Sequence, residues 1–468
     1  MASGSVSKEA DEVLESLYAR RQKVYPREVH GWFAGMRVLA VAVLLGLYYG
    51  LAWLSWDGQQ LLVFDLPARR FHVFGLTFYP QDFLLLALLL ITAALSLFFF
   101  TALAGRLWCG YACPQTVWTE IFMWMERKIE GDRPKQMKLD RAPSSSRKLA
   151  IKGTKHLVWI AFSFYTGFTF VGYFTPIREL SANLLAFNLG PWETFWVFFY
   201  GFATYGNAGW MREQVCIYMC PYARFQSAMF DRDTLVISYD ETRGEPRGPR
   251  RRGVDHRAKG LGDCIDCTMC VQVCPTGIDI RDGLQYECIA CAACVDACDH
   301  VMEKMGYPKG LIRYTTENAM EGKPTRILRP RILVYGALLL ALVSATAFGI
   351  TQREPVDIEA LRDRNALYRE TNDGLIENVY TLKIYNKHRA AHSFTVSVSG
   401  IEGLRLVADQ QQVQVLPGEV VSFPVRVRAD PMNLEHGSNA IRFIVRARDD
   451  EDVRSVEDSR FLGPRFPR

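Results

Sequence analysis

Cysteine is missing from the first 108 residues and from the last 170 of this 468-residue chain. All twelve cysteines lie between Cys109 and Cys298, in four motifs of fixed internal spacing. None is left over as a stray structural thiol, and no disulfide can staple either end. Clustered, reduced thiols of this kind point to metal binding on a reducing side. Other absences narrow the field further. No Gly-x-Gly-x-x-Gly follows a strand pattern and no Walker sequence occurs, so no nucleotide site is evident. No Cys-x-x-Cys-His is present to attach haem covalently. A helix-turn-helix or RNA-binding signature is also lacking. The net charge is only +5, with the basic residues beside apolar runs, so no nucleic-acid partner is expected. A cleavable signal is missing too: polar residues 1–35, with Arg20, Arg21, Lys23 and Arg27, lead into an apolar run that ends in Trp and Tyr.

What is present begins with apolar runs that a mean hydropathy near zero conceals. Five are predicted to cross a membrane: about Met36 to Trp56, Gln81 to Leu103, His156 to Phe174, Trp192 to Trp210 and Ile332 to Ile350. Each is close to the length needed to span about 30 Å of hydrocarbon at about 1.5 Å per residue. The fourth carries glycines and Asn207, which leaves a re-entrant or protein-buried helix open there. Residues 105–155 are rich in Lys and Arg, whereas 57–80 and 175–191 are near neutral. The positive-inside rule then puts the N-terminus and residues 211–331 in the cytoplasm and everything after Thr351 outside.

The most specific signal runs from Cys264 to Cys298. It reads Cys264-x2-Cys267-x2-Cys270-x3-Cys274-Pro275, then Cys288-x2-Cys291-x2-Cys294-x3-Cys298. This spacing, used twice, predicts a bacterial-type ferredoxin insert with two [4Fe–4S] clusters, in which the fourth ligand of each cluster comes from the other motif. The expected sets are Cys264, Cys267, Cys270 and Cys298 for one cluster, and Cys288, Cys291, Cys294 and Cys274 for the other. Pro275 and Gly277 suit the sharp turn after a fourth ligand. Zinc knuckles usually pair two Cys-x2-Cys units rather than running four cysteines together. The Pro/Gly/Arg stretch from Gly244 to Gly253 reads as a flexible linker whose arginines are solvated or, alternatively, meet anionic lipid headgroups.

A second constellation is an internal repeat. Arg106-Leu-Trp-Cys109-Gly-Tyr-Ala-Cys113-Pro114 closes the second span, and Arg212-Glu-Gln-Val-Cys216-Ile-Tyr-Met-Cys220-Pro221 closes the fourth. A proline suits the first position of a new helix, so each motif reads as a loop-to-helix junction. If the repeats pack together, four thiols converge, and thiolates select copper(I), zinc, iron or a cluster. Four inert core cysteines are the bland alternative. Met123, Met125, Met219 and Met229 read as packing. From Val379 onward the pattern turns to period two, in 379–385, 393–398, 413–415, 420–427 and 441–446, which predicts an immunoglobulin-like β-sandwich.

With both cysteine constellations and the β-rich tail, the chain resembles polyferredoxin-like membrane proteins and, more narrowly, the cytochrome c oxidase accessory proteins of the CcoG (FixG/RdxA) family. The resemblance implies a multidomain membrane protein: a cytoplasmic segment 1–35, a transmembrane repeat domain 36–230, a cytoplasmic linker and ferredoxin domain 231–331, a fifth helix 332–350 and a periplasmic immunoglobulin-like domain 351–468. It implies residence in a bacterial inner membrane and reduction of Cu(II) to Cu(I) for assembly of a cbb-type oxidase. Copper or another soft metal would be handled by Cys109, Cys113, Cys216 and Cys220, acting as catalytic thiols and metal ligands. Copper transport or chaperone proteins and oxidase subunits would be partners beside the lipid bilayer; the electron donor is not indicated. The alternative is a NapH/NosR-like relay subunit exchanging electrons between quinol and iron–sulfur partners.

Overall fold

The computed structural model describes residues 23–464 apart from 57, 254, 256, 389, 409–411 and 451. Arg20 and Arg21 of the expected N-terminal segment lie outside the described residues. The chain divides into two units, one of residues up to 54 with 90–341, the other of 55–89 with 342–468.

Eight helices carry the argument: α1 (Trp32–Leu51), α2 (Phe83–Ala104), α3 (Pro114–Glu130), α4 (Ser146–Val171), α5 (Pro191–Thr204), α6 (Pro221–Ser227), α7 (Ala293–Met305) and α8 (Pro330–Thr351). Among the described residues, three helical segments are long and apolar enough to cross a membrane: α1, α2 with the turn leading into it, and α8. Their large apolar side chains, such as Leu84, Leu89 and Leu340, stand exposed, as a lipid surrounding requires. The chain is a membrane protein on this evidence. The third and fourth expected spans take other forms. α4 begins ten residues early, with Arg147, Lys148, Lys152 and Lys155 in its first turns. α5 has 14 residues and passes into a π-helical stretch, Tyr205–Met211, that contains Asn207.

Those lysines are not loose loop charges. Lys155 pairs with Glu126 at 3.2 Å and Glu130 at 2.8 Å, and Arg212 pairs with Glu126 at 2.6 Å. Lys152 pairs with Glu130 at 2.8 Å and Asp140 at 2.6 Å. Glu126, Glu130, Lys155 and Arg212 are all buried, so this network ties α3 to α4 and to the second cysteine motif. The lysine stems stay dry while the charges compensate one another.

The ferredoxin part is built on the antiparallel pair β1 (Val236–Tyr239) and β2 (Ile312–Thr315), with α7 and a short turn of helix at Met269–Gln272. Ile237, Val295, Met302, Leu311 and Ile312 form its core. The flexible-linker reading of 244–253 needs correction. Gly248 N–H donates to the Cys264 carbonyl at 3.2 Å, and the Arg250 guanidinium donates to the carbonyls of Cys264 (3.1 Å) and Gly262 (2.7 Å). Arg250 also lies over the Tyr307 ring, so the stretch is pinned to the first cysteine loop through its arginine.

The second unit carries an all-β sandwich. Its strands are β3 (Val356–Arg362), β4 (Ile376–Asn386), β5 (His392–Ser399), β6 (Arg405–Ala408), β7 (Gln412–Val415), β8 (Val420–Ala429), β9 (Ser438–Ala447) and β10 (Arg454–Leu462). One sheet runs β6-β8-β4-β3 and the other β7-β5-β9-β10, all antiparallel. Tyr380, Phe394, Phe443 and Phe461 fill the space between them. In the same unit, Asp82 accepts from Arg353 and Lys387 with all three side chains nearly buried, which fixes the start of α2 and the chain after α8 to the sandwich.

Candidate functional site

The two Cys-x2-Cys-x2-Cys loops wind alike. Asp266 and Thr268 in the first, and Ala290 and Ala292 at the same places in the second, hold left-handed φ angles of +52°, +54°, +53° and +58°. None is glycine, so each costs about 1–3 kcal/mol that the surroundings must offset. The alternation of left- and right-handed residues turns backbone N–H groups toward the inside of each loop. One of them, Ala290 N–H, points at Cys288 Sγ at 3.4 Å. After the first motif the chain reverses at Gly277, whose φ of +77° is open to glycine at no steric cost.

Each loop closes over a cavity. Cys264, Cys267, Cys270 and Cys298 line the first, beside Tyr239 and Arg281. Cys274, Cys288, Cys291 and Cys294 line the second, and Cys270 lines it as well. The structure thus brings the cysteines of each expected set to one cavity, with Cys270 common to both. Burial pushes the thiols of Cys270, Cys288 and Cys298 up to about 12, and neighbouring thiols add to the effect. Such thiols ionise when they coordinate a cation, which fits a metal group at each centre. Among the described residues no three His, Cys, Asp or Glu side chains stand close enough to share one metal ion. Four cysteines around each cavity match the four thiolates that a [4Fe–4S] cluster takes.

The second constellation is assembled from helix ends. Cys113 and Cys220 are extended residues just before α3 and α6, and Pro114 and Pro221 open those helices. Cys109 lies on the short helix Leu107–Tyr111, and Cys216 in a π-helical turn, Val215–Met219. Single π-turns inside helices are often found at functional sites. Burial, and then the thiols of its neighbours Cys113, Cys216 and Cys220, push Cys109 up to about 12. Cys216 is pushed up to about 12 by burial and by Cys113 and Cys220. The four thiols therefore face a common region, although they do not close around a single ion. Cys109 Sγ donates to Gln226 Oε1 at 3.3 Å, and Gln226 is wholly buried.

The two constellations touch. Gly110, between Cys109 and Cys113, packs on the loop between Cys288 and Cys291. A Cβ placed on it would stand 2.8 Å from the carbonyl oxygens of Ile289 and Ala290. Arg106 is buried and donates to the Cys288 carbonyl at 3.1 Å and to the Ala223 carbonyl in α6. Gln115, after Pro114, donates in turn to the Arg212 carbonyl at 3.1 Å. Each repeat's arginine thus meets the helix that follows the other repeat's proline. Sequence reasoning passed over Arg106, Gly110 and Gln226. The placing of an arginine three or four residues before each first cysteine was the available signal for the first of them.

Family models match three parts of the chain. Residues 211–317 match a 4Fe-4S dicluster domain, 86–131 a 4Fe-4S binding domain, and 346–464 the Ig-like fold at the C-terminal of FixG. The protein RdxB of Cereibacter sphaeroides is 41% identical over 428 residues, which cover 88% of this chain and 88% of that protein. The chain belongs to the FixG/RdxA family. RdxA of the same organism is 41% identical over 84% of this chain and 85% of its own length. The nitrogen fixation protein FixG of Rhizobium meliloti is 38% identical over 82% and 80%. This FixG/RdxA-family chain is accordingly a FixG-like iron–sulfur electron-transfer protein with 4Fe-4S-binding domains and an immunoglobulin-like C-terminal domain. The description of the C-terminal model provisionally classes FixG as an oxidoreductase.

Proposed function

We propose that this protein reduces Cu(II) to Cu(I) at the paired Cys-x3-Cys-Pro motifs, with electrons drawn from two [4Fe–4S] sites. The clusters would be held by Cys264, Cys267, Cys270 and Cys298, and by Cys274, Cys288, Cys291 and Cys294. When bound, they supply one-electron carriers. The substrate copper takes one electron per ion. Thiolates at Cys109, Cys113, Cys216 and Cys220 bind it and favour the soft product over the harder Cu(II). Two of the four suffice for Cu(I), which accepts linear two-thiolate coordination. Arg106 lies between the thiol groups and offsets negative charge on either side. The observation that carries the reading is the direct packing of Gly110 and Arg106 on the Cys288–Cys291 loop. It brings the thiols of one constellation next to those of the other.

The product would serve assembly of a cbb-type oxidase, with copper transport or chaperone proteins and oxidase subunits as partners. The ferredoxin part would face the cytoplasm and the sandwich the periplasm of a bacterial inner membrane, with α4 and α5 completing five crossings. The test is anaerobic. The protein is purified, pre-reduced and given Cu(II), with Cys109→Ser/Cys216→Ser alongside. The double substitution should abolish most of the Cu(I) formed. Unchanged reduction would remove these cysteines from the mechanism.

A relay reading has one observation in its favour: the 4Fe-4S binding model at 86–131 includes Cys109 and Cys113. It requires iron beyond the eight ferredoxin ligands, and that iron would leave with the same substitutions.

A further inference from the structure

A cavity of about 710 Å³ opens between α1, α3 and the second cysteine loop, all within the first unit. Its size is that of a site for one small organic molecule. Its lining is part apolar and part charged. Val38, Val41, Ala42 and Leu45 of α1 and Ile121 and Trp124 of α3 supply the apolar part. α1 is one of the helices long and apolar enough to cross a membrane, so this lining adjoins a helix suited to the bilayer. Glu28, His30, Arg37, Glu120, Arg127 and Glu213 supply the charged part. Cys216 and Cys291 lie on its wall, one from each constellation.

These charges are largely spoken for. Arg127 pairs with Glu120 at 3.4 Å, and Arg37 donates to the Cys291 carbonyl at 2.6 Å. Arg212, also on the wall, is held by Glu126 at 2.6 Å. A phosphate headgroup would compete with these partners, whereas a neutral ring with hydrogen-bonding oxygens would not. Arg37 also fixes the distance that matters, because whatever it touches lies beside a cysteine of the second set.

We propose that this cavity binds a lipid-soluble quinone, its ring between Arg37 and Glu120 and its isoprenoid tail along Ala42 and Leu45. Quinone and hydroquinone differ by two electrons and two protons. A cluster held by Cys291 and its set would exchange the two electrons one at a time, and Glu28 and Glu120, on the cavity wall, would take or give the protons. The inference concerns binding and stands or falls without copper.

The full-length protein in detergent, free of copper, is titrated with decylubiquinone. One molecule should bind per chain. Gly35 lines the cavity, and a Cβ on it meets nothing within 4 Å. Gly35→Leu should weaken binding tenfold or more, and so should Ala42→Phe, with iron content and cluster absorption as controls of folding. Photolabelling of the unaltered protein with an azido-quinone should fall on α1 and α3. Binding that survives both substitutions, or labels lying elsewhere, would overturn the proposal. So would displacement of the quinone by equimolar phosphatidylglycerol, which would make the cavity a lipid site.

Discussion

Eight of the twelve cysteines belong to motifs whose loops turn on left-handed residues, and four belong to motifs that have none between their cysteines. The difference lies in the backbone. Both ferredoxin loops hold two non-glycine residues in the left-handed region, at a cost that the surrounding structure must offset. The Cys-x3-Cys-Pro motifs have no such residues between their cysteines. They use a proline to start a helix and let the two repeats bring the thiols together. A preformed cage suits a resident group. Thiols gathered by packing suit a guest that comes and goes. One molecule holds both, joined through Arg106 and Gly110.

The sharpest way to break this comparison is to remove one cysteine from each side. Cys291→Ser should lose the second cluster, taking iron from about eight to about four per chain by the ligand arithmetic. Cys113→Ser should leave the iron unchanged. Iron and acid-labile sulfide measured anaerobically decide between them. Equal losses would make the four helix-end thiols cluster ligands as well, and the distinction between cage and guest site would be withdrawn.

A smaller effect comes from the ion pairs that hold the second motif in place. Lys155→Met leaves Glu126 and Glu130 buried with one partner fewer, a loss of about 3–5 kcal/mol when a buried pair is broken. Burial raises the Glu126 carboxyl, but Arg212 and Lys155 beside it outweigh burial and hold it below the usual carboxylate range. Asp140 is held low against its burial by Lys152, Lys23 and Tyr25. Groups held low in the folded state add stability above their unfolded pKa, about 4, and lose it as the pH falls through the folded value. The melting temperature should therefore be level above pH 5 and drop below pH 4. In Lys155→Met the acid drop should be shallower, because Glu126 is then less depressed. An identical acid profile would show that Lys155 does not govern Glu126.

Much of this was legible beforehand, and the gaps have physical reasons. Cysteine spacing is a local pattern, so the loops that line the two cavities could be expected from Cys264 to Cys298 alone. Strands with a clean alternation, such as 379–385 and 441–446, were equally plain. β3, β6 and β10 were not, because their outward faces are charged and their inward residues few: β10 reads Arg-Ser-Val-Glu-Asp-Ser-Arg-Phe-Leu. Hydropathy found α1, α2 and α8, but it could not reveal that the basic turns before His156 continue into α4 and pair with α3. Pairings between residues far apart in the chain leave no local pattern. Arg106 on Cys288, 182 residues away, is of that kind.

The least disruptive test acts on the joint itself. Gly110 is buried, and its neighbours across the contact are backbone carbonyls that cannot rotate away as a side chain can. Gly110→Val must push the Cys109–Cys113 segment off the Ile289–Ala290 backbone or distort it. Overpacking of this kind costs about 1–3 kcal/mol, well short of unfolding. Both cages should still fill, since no cysteine is changed. What should fall is the delivery of electrons from the pre-reduced cages to Cu(II), because the two constellations are held further apart. Stopped-flow recovery of the cluster absorption, as Cu(II) reoxidises the pre-reduced protein, reads this directly. A rate equal to that of the unaltered protein, at full iron content, would mean that electrons leave by another route and that this contact serves only to hold the fold.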